Sequence, residues 1–288
     1  MTVFDDWSSG RRSHLEHHRD DPRLSIVTGD LAELDAVIAA VAGHDLVYHL
    51  ASNPDIARAV TEPDIDFRRG TILTQNVLEA MRRTGVRRLL YTSGSGVYGD
   101  TATLAVREEY GPLVPISTYG ASKLAGEAMI SAYCHMFGFR ASVLRMANVV
   151  GARQTHGVAF DFLAKLRRDR TRLEILGDGT QSKSYVHATD VVRAMDHVLR
   201  HARTPFECFN VATDDYIDVR AIAALVIEAL GLSDVPLSFT GGSRGWAGDV
   251  PVIRFDLTKI HALGWHATMT SHEAMRQAIK DMLAHPCR

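Results

Sequence analysis

Arg88-Leu89-Leu90-Tyr91-Thr92 is a short apolar run, Thr118 to Phe137 a long amphipathic one, and Ala141-Ser142-Val143-Leu144-Arg145 short again. That order reads strand, helix, strand. Upstream it repeats: Pro63 to Thr84 has helical spacing, with apolar positions Phe67, Ile72, Leu73, Val77, Leu78 and Met81, and Asp45 to Leu50 is strand-like. Leu31 to Ala42 reads as a helix and Leu24 to Thr28 as a strand ended by Gly29-Asp30. Thr2-Val3-Phe4 is a strand that stops at the loop Asp5-Asp6-Trp7-Ser8-Ser9-Gly10. Strands separated by helices argue βαβ units and a parallel sheet covered on both faces. Right-handed crossovers then give an α/β fold built on a doubly wound, Rossmann-type sheet.

Downstream the pattern loosens. Helices are expected at Val158–Arg168, Ala188–His201, Val219–Leu230 and Ser271–Ala284, and a strand at Leu173–Leu176 before the turn Gly177-Asp178-Gly179. A Gly-rich loop spans Gly241 to Asp249. The expected division is a nucleotide-binding domain over 1–150 and a smaller mixed α/β substrate domain over 151–288. The segment from about 185 to 212 is expected to return to the first domain. No internal repeat or low-complexity tract is visible.

The 288 residues suffice for a sizeable core. Hydrophobic residues at 46% and charged residues at 23% are ordinary globular values, which argues against disorder, collagen and coiled coil. A net charge of −2 lacks the basic excess of a nucleic-acid binder. No apolar run approaches the roughly 18–20 residues of a membrane span, and no signal peptide is read, so a cytoplasmic location is expected. Cys134, Cys208 and Cys287 are scattered and odd in number, which suits isolated thiols in a reducing compartment. His14, His17 and His18 lie in a polar, Arg-rich loop and no HExxH occurs, so no metal site is expected.

Tyr119-Gly120-Ala121-Ser122-Lys123 opens the helix that begins at Thr118, and its i, i+4 spacing puts phenol and ammonium on one face. A neighbouring ammonium favours tyrosinate, which would lower the phenol's pKa. Such a Tyr can take the proton of a substrate hydroxyl while hydride leaves the same carbon. The same spacing is also common surface decoration. Thr92-Ser93-Gly94-Ser95-Gly96-Val97-Tyr98-Gly99 ends a strand where doubly wound sheets bind ligands, and is equally readable as a Gly/Ser turn.

These residues resemble the extended short-chain dehydrogenase/reductases, in particular the NAD-dependent sugar-nucleotide epimerases and dehydratases. The resemblance is carried by Val3-Phe4-Asp5-Asp6, Gly29-Asp30-Leu31, Tyr48-His49-Leu50-Ala51-Ser52, Gly70-Thr71 with Asn76-Val77-Leu78-Glu79-Ala80, and Thr92–Gly99. It continues through Tyr119–Lys123, Arg145-Met146-Ala147-Asn148-Val149-Val150-Gly151, Gly177-Asp178-Gly179, Tyr185-Val186-His187-Ala188-Thr189-Asp190 and Gly248-Asp249-Val250-Pro251. Their order and spacing, more than any single one, carry it.

The resemblance implies a UDP-sugar 4-epimerase with tightly held NAD, acting through a 4-keto intermediate. It implies that Asp5 binds the adenosine ribose, which favours NAD over NADP. Asp30 and Leu31 would flank the adenine, Leu50, Ala51 and Ser52 would line the pyrophosphate and ribose path, and Asp6, Thr92 and Ala147 would complete the cofactor set. Tyr119 and Lys123 would be catalytic base and ribose-binding partner. Asn148, Lys183, Arg244 and Asp249 would face the substrate, its diphosphate calling for positive charge; Lys183 and Arg244 also read as solvated loop charges. The stretches at 63–84 and 118–137 would form the helices of a homodimer, or simply pack on the sheet.

Three departures from the family pattern stand out. The hydroxyl three residues before Val-Tyr-Gly is here Gly94, so Ser93 or Ser95 must substitute. Dehydratases carry Asp-Glu just before Val-Tyr-Gly, whereas this chain has Ser95-Gly96, which favours epimerisation. The family opens with a strand and a GxxGxxG turn that cradles the pyrophosphate. Nothing of that kind precedes Thr2, so this sequence opens at the second strand, short by about one βα unit, on the order of 25–30 residues. The strands on either side would be left with unpaired inner edges. Two readings follow: upstream residues absent from this sequence, or a divergent member with weakened cofactor binding. Beside the epimerase stand two alternatives, a dehydratase or reductase of the same family and a non-catalytic sugar-nucleotide binder.

Overall fold

The computed structural model describes residues 1–284; Cys287 and the last residues of the expected second domain lie outside them. In chain order the elements are β1 (Thr2–Asp5), β2 (Ser25–Thr28), α1 (Leu34–Val41), β3 (Leu46–His49), α2 (Ile72–Thr84), β4 (Arg88–Gly94), β5 (Ala105–Val106) and α3 (Thr118–Phe137). Next come β6 (Arg140–Met146), β7 (Asn148–Val150), α4 (Val158–Arg168), β8 (Leu173–Ile175), β9 (Ser182–Lys183), β10 (Tyr185–His187), α5 (Ala188–His201) and β11 (Phe206–Val211). β12 (Ile217–Asp218), α6 (Val219–Ala229), β13 (Leu237–Phe239), β14 (Arg254–Phe255), α7 (Thr258–Ala262) and α8 (Ser271–Ala284) complete them.

The central sheet runs β11-β6-β4-β3, all parallel. β4 and β6 are buried along almost their whole length, as expected of parallel strands covered on both faces. Alternation along them sorts the two layers. Leu89, Tyr91 and Val143 point to one face, with α1, α2 and α3 (Val37, Val77, Leu78, Ile130); Leu90, Leu144 and Phe209 point to the other, with α5 (Val191, Ala194, Val198) and Trp265. The sheet is therefore doubly wound. β11 pairs with β6, so the chain returns to this sheet after residue 200. A separate core gathers α4, α6 and α8 around Phe162, Ile175, Val226 and Met275.

The remaining strands pair off in twos: β1-β2, β7-β10, β8-β13 and β5-β14 parallel, β9-β12 antiparallel. β1 and β3, the strands read as having unpaired inner edges, are not hydrogen-bonded to each other among the described residues. The β1-β2 pair meets the rest of the molecule through side chains instead. Asn76 of α2 donates to the Leu31 and Ala32 carbonyls at 2.9 and 3.0 Å, and His44 Nε2 lies 3.0 Å from Thr2 Oγ1.

The expected continuous helix over 63–84 is broken by a π-turn at Phe67–Thr71. Its cause is a side chain entering the ladder: Ser122 of α3 donates to the Asp66 carbonyl at 2.8 Å, and Thr71 Oγ1 donates to Ser122 Oγ at 3.0 Å. Gly70 permits this approach, because a Cβ there would collide with Ser122. Phe67 is consequently not a core position; it is 57% exposed. α3 itself starts where Ser117 Oγ accepts from Gly120 N at 3.1 Å and ends at the left-handed Gly138.

Candidate active site

The carboxyl ends of β3 and β4 and the first turns of α3 meet at one edge of the sheet, where open α/β sheets place their ligands. Lys123 is 4% exposed, donates to the Thr92 carbonyl at 2.7 Å and lies over the rings of Tyr91 and Tyr119, at 5.0 and 5.6 Å. Burial lowers its pKa to about 8, although the charges of Glu127 and Asp66 favour the ammonium. Burial raises the Tyr119 phenol above its ordinary value, a hydrogen bond with Ser52 works the other way, and the Asp66 charge adds to the rise. The expected lowering by Lys123 is thus overturned: the ammonium is turned to the Thr92 carbonyl and faces the ring, and desolvation wins.

The hydroxyls expected beside Tyr119 divide. Ser93 points down to Glu127, donating to Oε1 at 2.5 Å, and is taken up in a buried network with Arg145. That correction has a simple cause: Ser93 shares the strand parity of Leu89 and Tyr91, which sends it beneath α3. Ser95 begins a half-buried 3-10 turn, Ser95–Tyr98. Ser52, whose Oγ donates to the Asn53 carbonyl at 3.4 Å, is the hydroxyl whose influence lowers the phenol's pKa. Gly94 is extended, and a Cβ built there lies 4.0 Å from the Tyr119 hydroxyl, in ordinary contact. Gly94→Ser therefore fits without strain and brings an Oγ within reach of the phenol. It is expected to raise turnover severalfold, short of the roughly 10²–10⁴-fold of a full proton-transfer group, with an unchanged melting temperature; steady-state kinetics and calorimetry check both.

Three residues that the sequence reading missed hold this corner. Asp66, 1% exposed, accepts from Asn53 Nδ2 at 2.9 Å and from Thr118 Oγ1 at 2.6 Å, and Asn53 Nδ2 also donates to the Asp55 carbonyl at 2.9 Å. They fix the loop that carries Ser52 against the start of α3. Thr92 is buried, its hydroxyl donating to the His49 carbonyl at 3.3 Å.

Asp5, Asp6 and Asp30 lie together at the ends of β1 and β2. Asp5 accepts from Trp7 N at 2.7 Å, Asp6 from the backbone and hydroxyl of Ser8 at 2.9 and 2.6 Å, and Asp30 from Ala32 N at 2.8 Å. Arg69, another residue the sequence reading passed over, bridges Asp6 and Asp30 at 3.2 and 3.0 Å. Burial opposes the ionised Asp6, but the Ser8 hydrogen bonds and the Arg69 charge prevail and lower its pKa. Leu31 is half-buried, whereas Leu50 and Ala51 are exposed beyond the end of β3.

The residues expected to face the substrate also converge. Lys183 pairs with Asp249 at 2.6 Å, and Arg244 donates to the Asp249 carbonyl and to Asp100 Oδ2, each at 2.5 Å. These charges are therefore not freely solvated, and an incoming anion must compete with Asp249 and Asp100. Asn148 of β7 is exposed; burial and the Asp249 charge push up the Tyr185 phenol, against the pull of Asn148. Gly248 backs this loop onto Ile116 and Ser117, immediately before Tyr119. Ala147 is buried, its N–H donating to the Val211 carbonyl at 2.9 Å.

A family model described as the NAD dependent epimerase/dehydratase family matches residues 3–212. The chain belongs to this family. A UDP-glucose 4-epimerase of Mycolicibacterium smegmatis is 30% identical over 284 residues, covering 96% of this chain and 88% of that protein. A dTDP-glucose 4,6-dehydratase of Streptomyces antibioticus is 28% identical over 213 residues, 74% of this chain and 63% of its own length. A solved UDP-galactose 4-epimerase shares the fold with a TM-score of 0.86 at 37% identity, over 99% of this chain and 91% of that one. The family is NAD-dependent, and these relatives are epimerases and a dehydratase of nucleotide sugars. No helix among the described residues is long and apolar enough to cross a membrane.

Proposed function

We propose that this chain is an NAD-dependent 4-epimerase of a nucleotide sugar, with a UDP-sugar as substrate and a 4-keto sugar as intermediate. The observation that carries the reading is the meeting of Tyr119, Lys123 and Ser52 at the sheet edge, with Ser95-Gly96 in place of the acidic pair used to eliminate water. The donor chemistry fits NAD at both ends: Asp5 and Asp30 would hold the adenosine side, and Thr92, Tyr119 and Lys123 the nicotinamide ribose. NAD supplies a hydride acceptor when bound. The minor, deprotonated form of Tyr119 takes the C4 hydroxyl proton and gives it back when the hydride returns, Ser52 steadies the phenol's oxygen, and Lys123 supplies the local positive charge. Lys183 and Arg244 exchange Asp249 and Asp100 for the substrate's diphosphate. A homodimer through α2 and α3 belongs to the same reading.

The assay is incubation with UDP-glucose, UDP-GlcNAc or UDP-glucuronate and added NAD, with sugar products separated. Interconversion of one pair is expected, and none with any of them sinks the proposal. Loss of water, seen by mass, would instead point to the dehydratase. A non-catalytic binder is the second reading, motivated by Gly94 and by the unpaired edges of β1 and β3. Stoichiometric NAD released from the denatured protein counts against it.

A pH prediction follows from Lys123. Its ammonium is lost as pH rises through about 8, so kcat/KM is expected to fall above that value. Stability moves the other way. The folded pKa of about 8 lies below the roughly 10.4 of an unfolded lysine, so between these values the unfolded chain binds more protons and folding strengthens as pH rises. A pH–rate profile and melting curves over the same range check the pair of trends, and Lys123→Met should flatten the lysine's share of the second.

A further inference from the structure

We propose that Asp214, His261 and His266 form a binding site for a divalent transition-metal ion, zinc in the first instance, that clips the turn after β11 to α7. It is remote in sequence from Tyr119 and Lys123.

Each of the three side chains offers one ligand atom, and these atoms all lie within 4.8 Å of one another. The rings of His261 and His266 stack face to face, with centroids 4.2 Å apart and planes at 28°. His261 Nε2 is buried and has no hydrogen-bond partner. Its nearest anion, Asp214 Oδ1, stands at 3.6 Å, too long for a hydrogen bond. A buried ring nitrogen left in that state costs free energy, and a cation between it and the carboxylate removes the cost.

The chemistry of the donors selects the ion. Two neutral imidazoles and one carboxylate suit zinc and its neighbours and are poor for calcium or magnesium, which prefer oxygen. Zinc–nitrogen and zinc–oxygen bonds of about 2.0–2.2 Å place tetrahedral donors roughly 3.4 Å apart. The widest pair therefore has at most about 1.4 Å to close. Asp214 and His266 are exposed and free to rotate by that much.

The backbone beneath the donors is already fixed by other contacts. Thr213 Oγ1 and Ser271 Oγ are 2.6 Å apart, and Asp215 accepts from Ser271 N at 2.7 Å, so both neighbours of Asp214 are pinned to the start of α8. Gly264, left-handed at φ 93°, turns the chain and donates to the His261 carbonyl at 2.8 Å, and buried Trp265 anchors His266. Three protein ligands leave a fourth position for water.

The test is titration of the full chain with zinc and cobalt salts, read by calorimetry, by melting temperature and by the visible absorption of bound cobalt. One equivalent, a raised melting temperature and a tetrahedral cobalt spectrum are expected. His266→Ala and Asp214→Asn change exposed side chains and should fold normally, each weakening the affinity at least tenfold and abolishing the cobalt bands. Absence of binding overturns the proposal. So does binding that both variants retain unchanged, which would place the metal on other histidines such as His14, His17 and His18.

Discussion

Tyr119→Phe is expected to lower kcat by about 10²–10⁴-fold while leaving KM for the nucleotide sugar nearly unchanged. The substitution removes one oxygen from a partly buried ring and leaves the ring's contact with Lys123 in place. Binding and folding should therefore survive, and only proton transfer at the sugar hydroxyl should fail. Circular dichroism and melting curves provide the structural check, and single-turnover kinetics the chemical one. Retention of activity within threefold of wild type would remove Tyr119 from the chemistry.

Arg145→Met is expected to have the largest effect on stability. Arg145 and Glu127 pair at 2.7 Å with side chains 6% and 4% exposed. Burial by itself opposes the charged guanidinium, but the hydrogen bonds and charge of Glu127 more than compensate and its pKa is raised. Arg145 also donates to the Tyr98 hydroxyl at 3.2 Å and the Glu108 carbonyl at 2.9 Å, while Glu127 accepts from Ser93. Removing the cation strands a carboxylate in the core, which costs about 3–5 kcal/mol. Denaturant unfolding measures it. The double variant with Glu127→Met should recover much of the loss, because the stranded charge and not the missing contact dominates. In the single variant Glu127 is left to favour the Lys123 ammonium, so the alkaline fall in activity should move above pH 8.

The frame of the protein was legible because periodicity reports burial. The long apolar runs that became β4, β6 and α3 sit where expected, and the two faces of the sheet follow from alternation along Leu89, Leu90, Tyr91 and Leu144. The π-turn at Phe67–Thr71 was not legible, since it is imposed by Ser122, a residue of another helix. Short strands such as β5 and β9 were likewise hidden, each having a partner remote in the chain. At the site, Tyr119 and Lys123 could be read from their spacing on one helix. Asp66 could not, because a carboxylate inside a helical stretch reads as solvent-facing until Asn53 and Thr118 are seen on it. Lys183 and Arg244 carried no sign of their partners Asp249 and Asp100.

The separation of β1-β2 from the central sheet has a consequence for hydrogen exchange. The pair is joined by only four residue pairings, and every residue of β2 is exposed. It adheres through Arg69, Asn76 and the packing of Phe4 and Leu34, without a shared backbone ladder. Such a unit opens at a fraction of the global unfolding free energy. Its amides are expected to exchange far faster than those of β4 and β6, and Arg69→Ala to quicken them further. Asp5, Asp6 and Asp30 ride on that unit, so any ligand that grips them together with the β4 end of the sheet will be registered as protection of β1 and β2, a footprint readable without turnover.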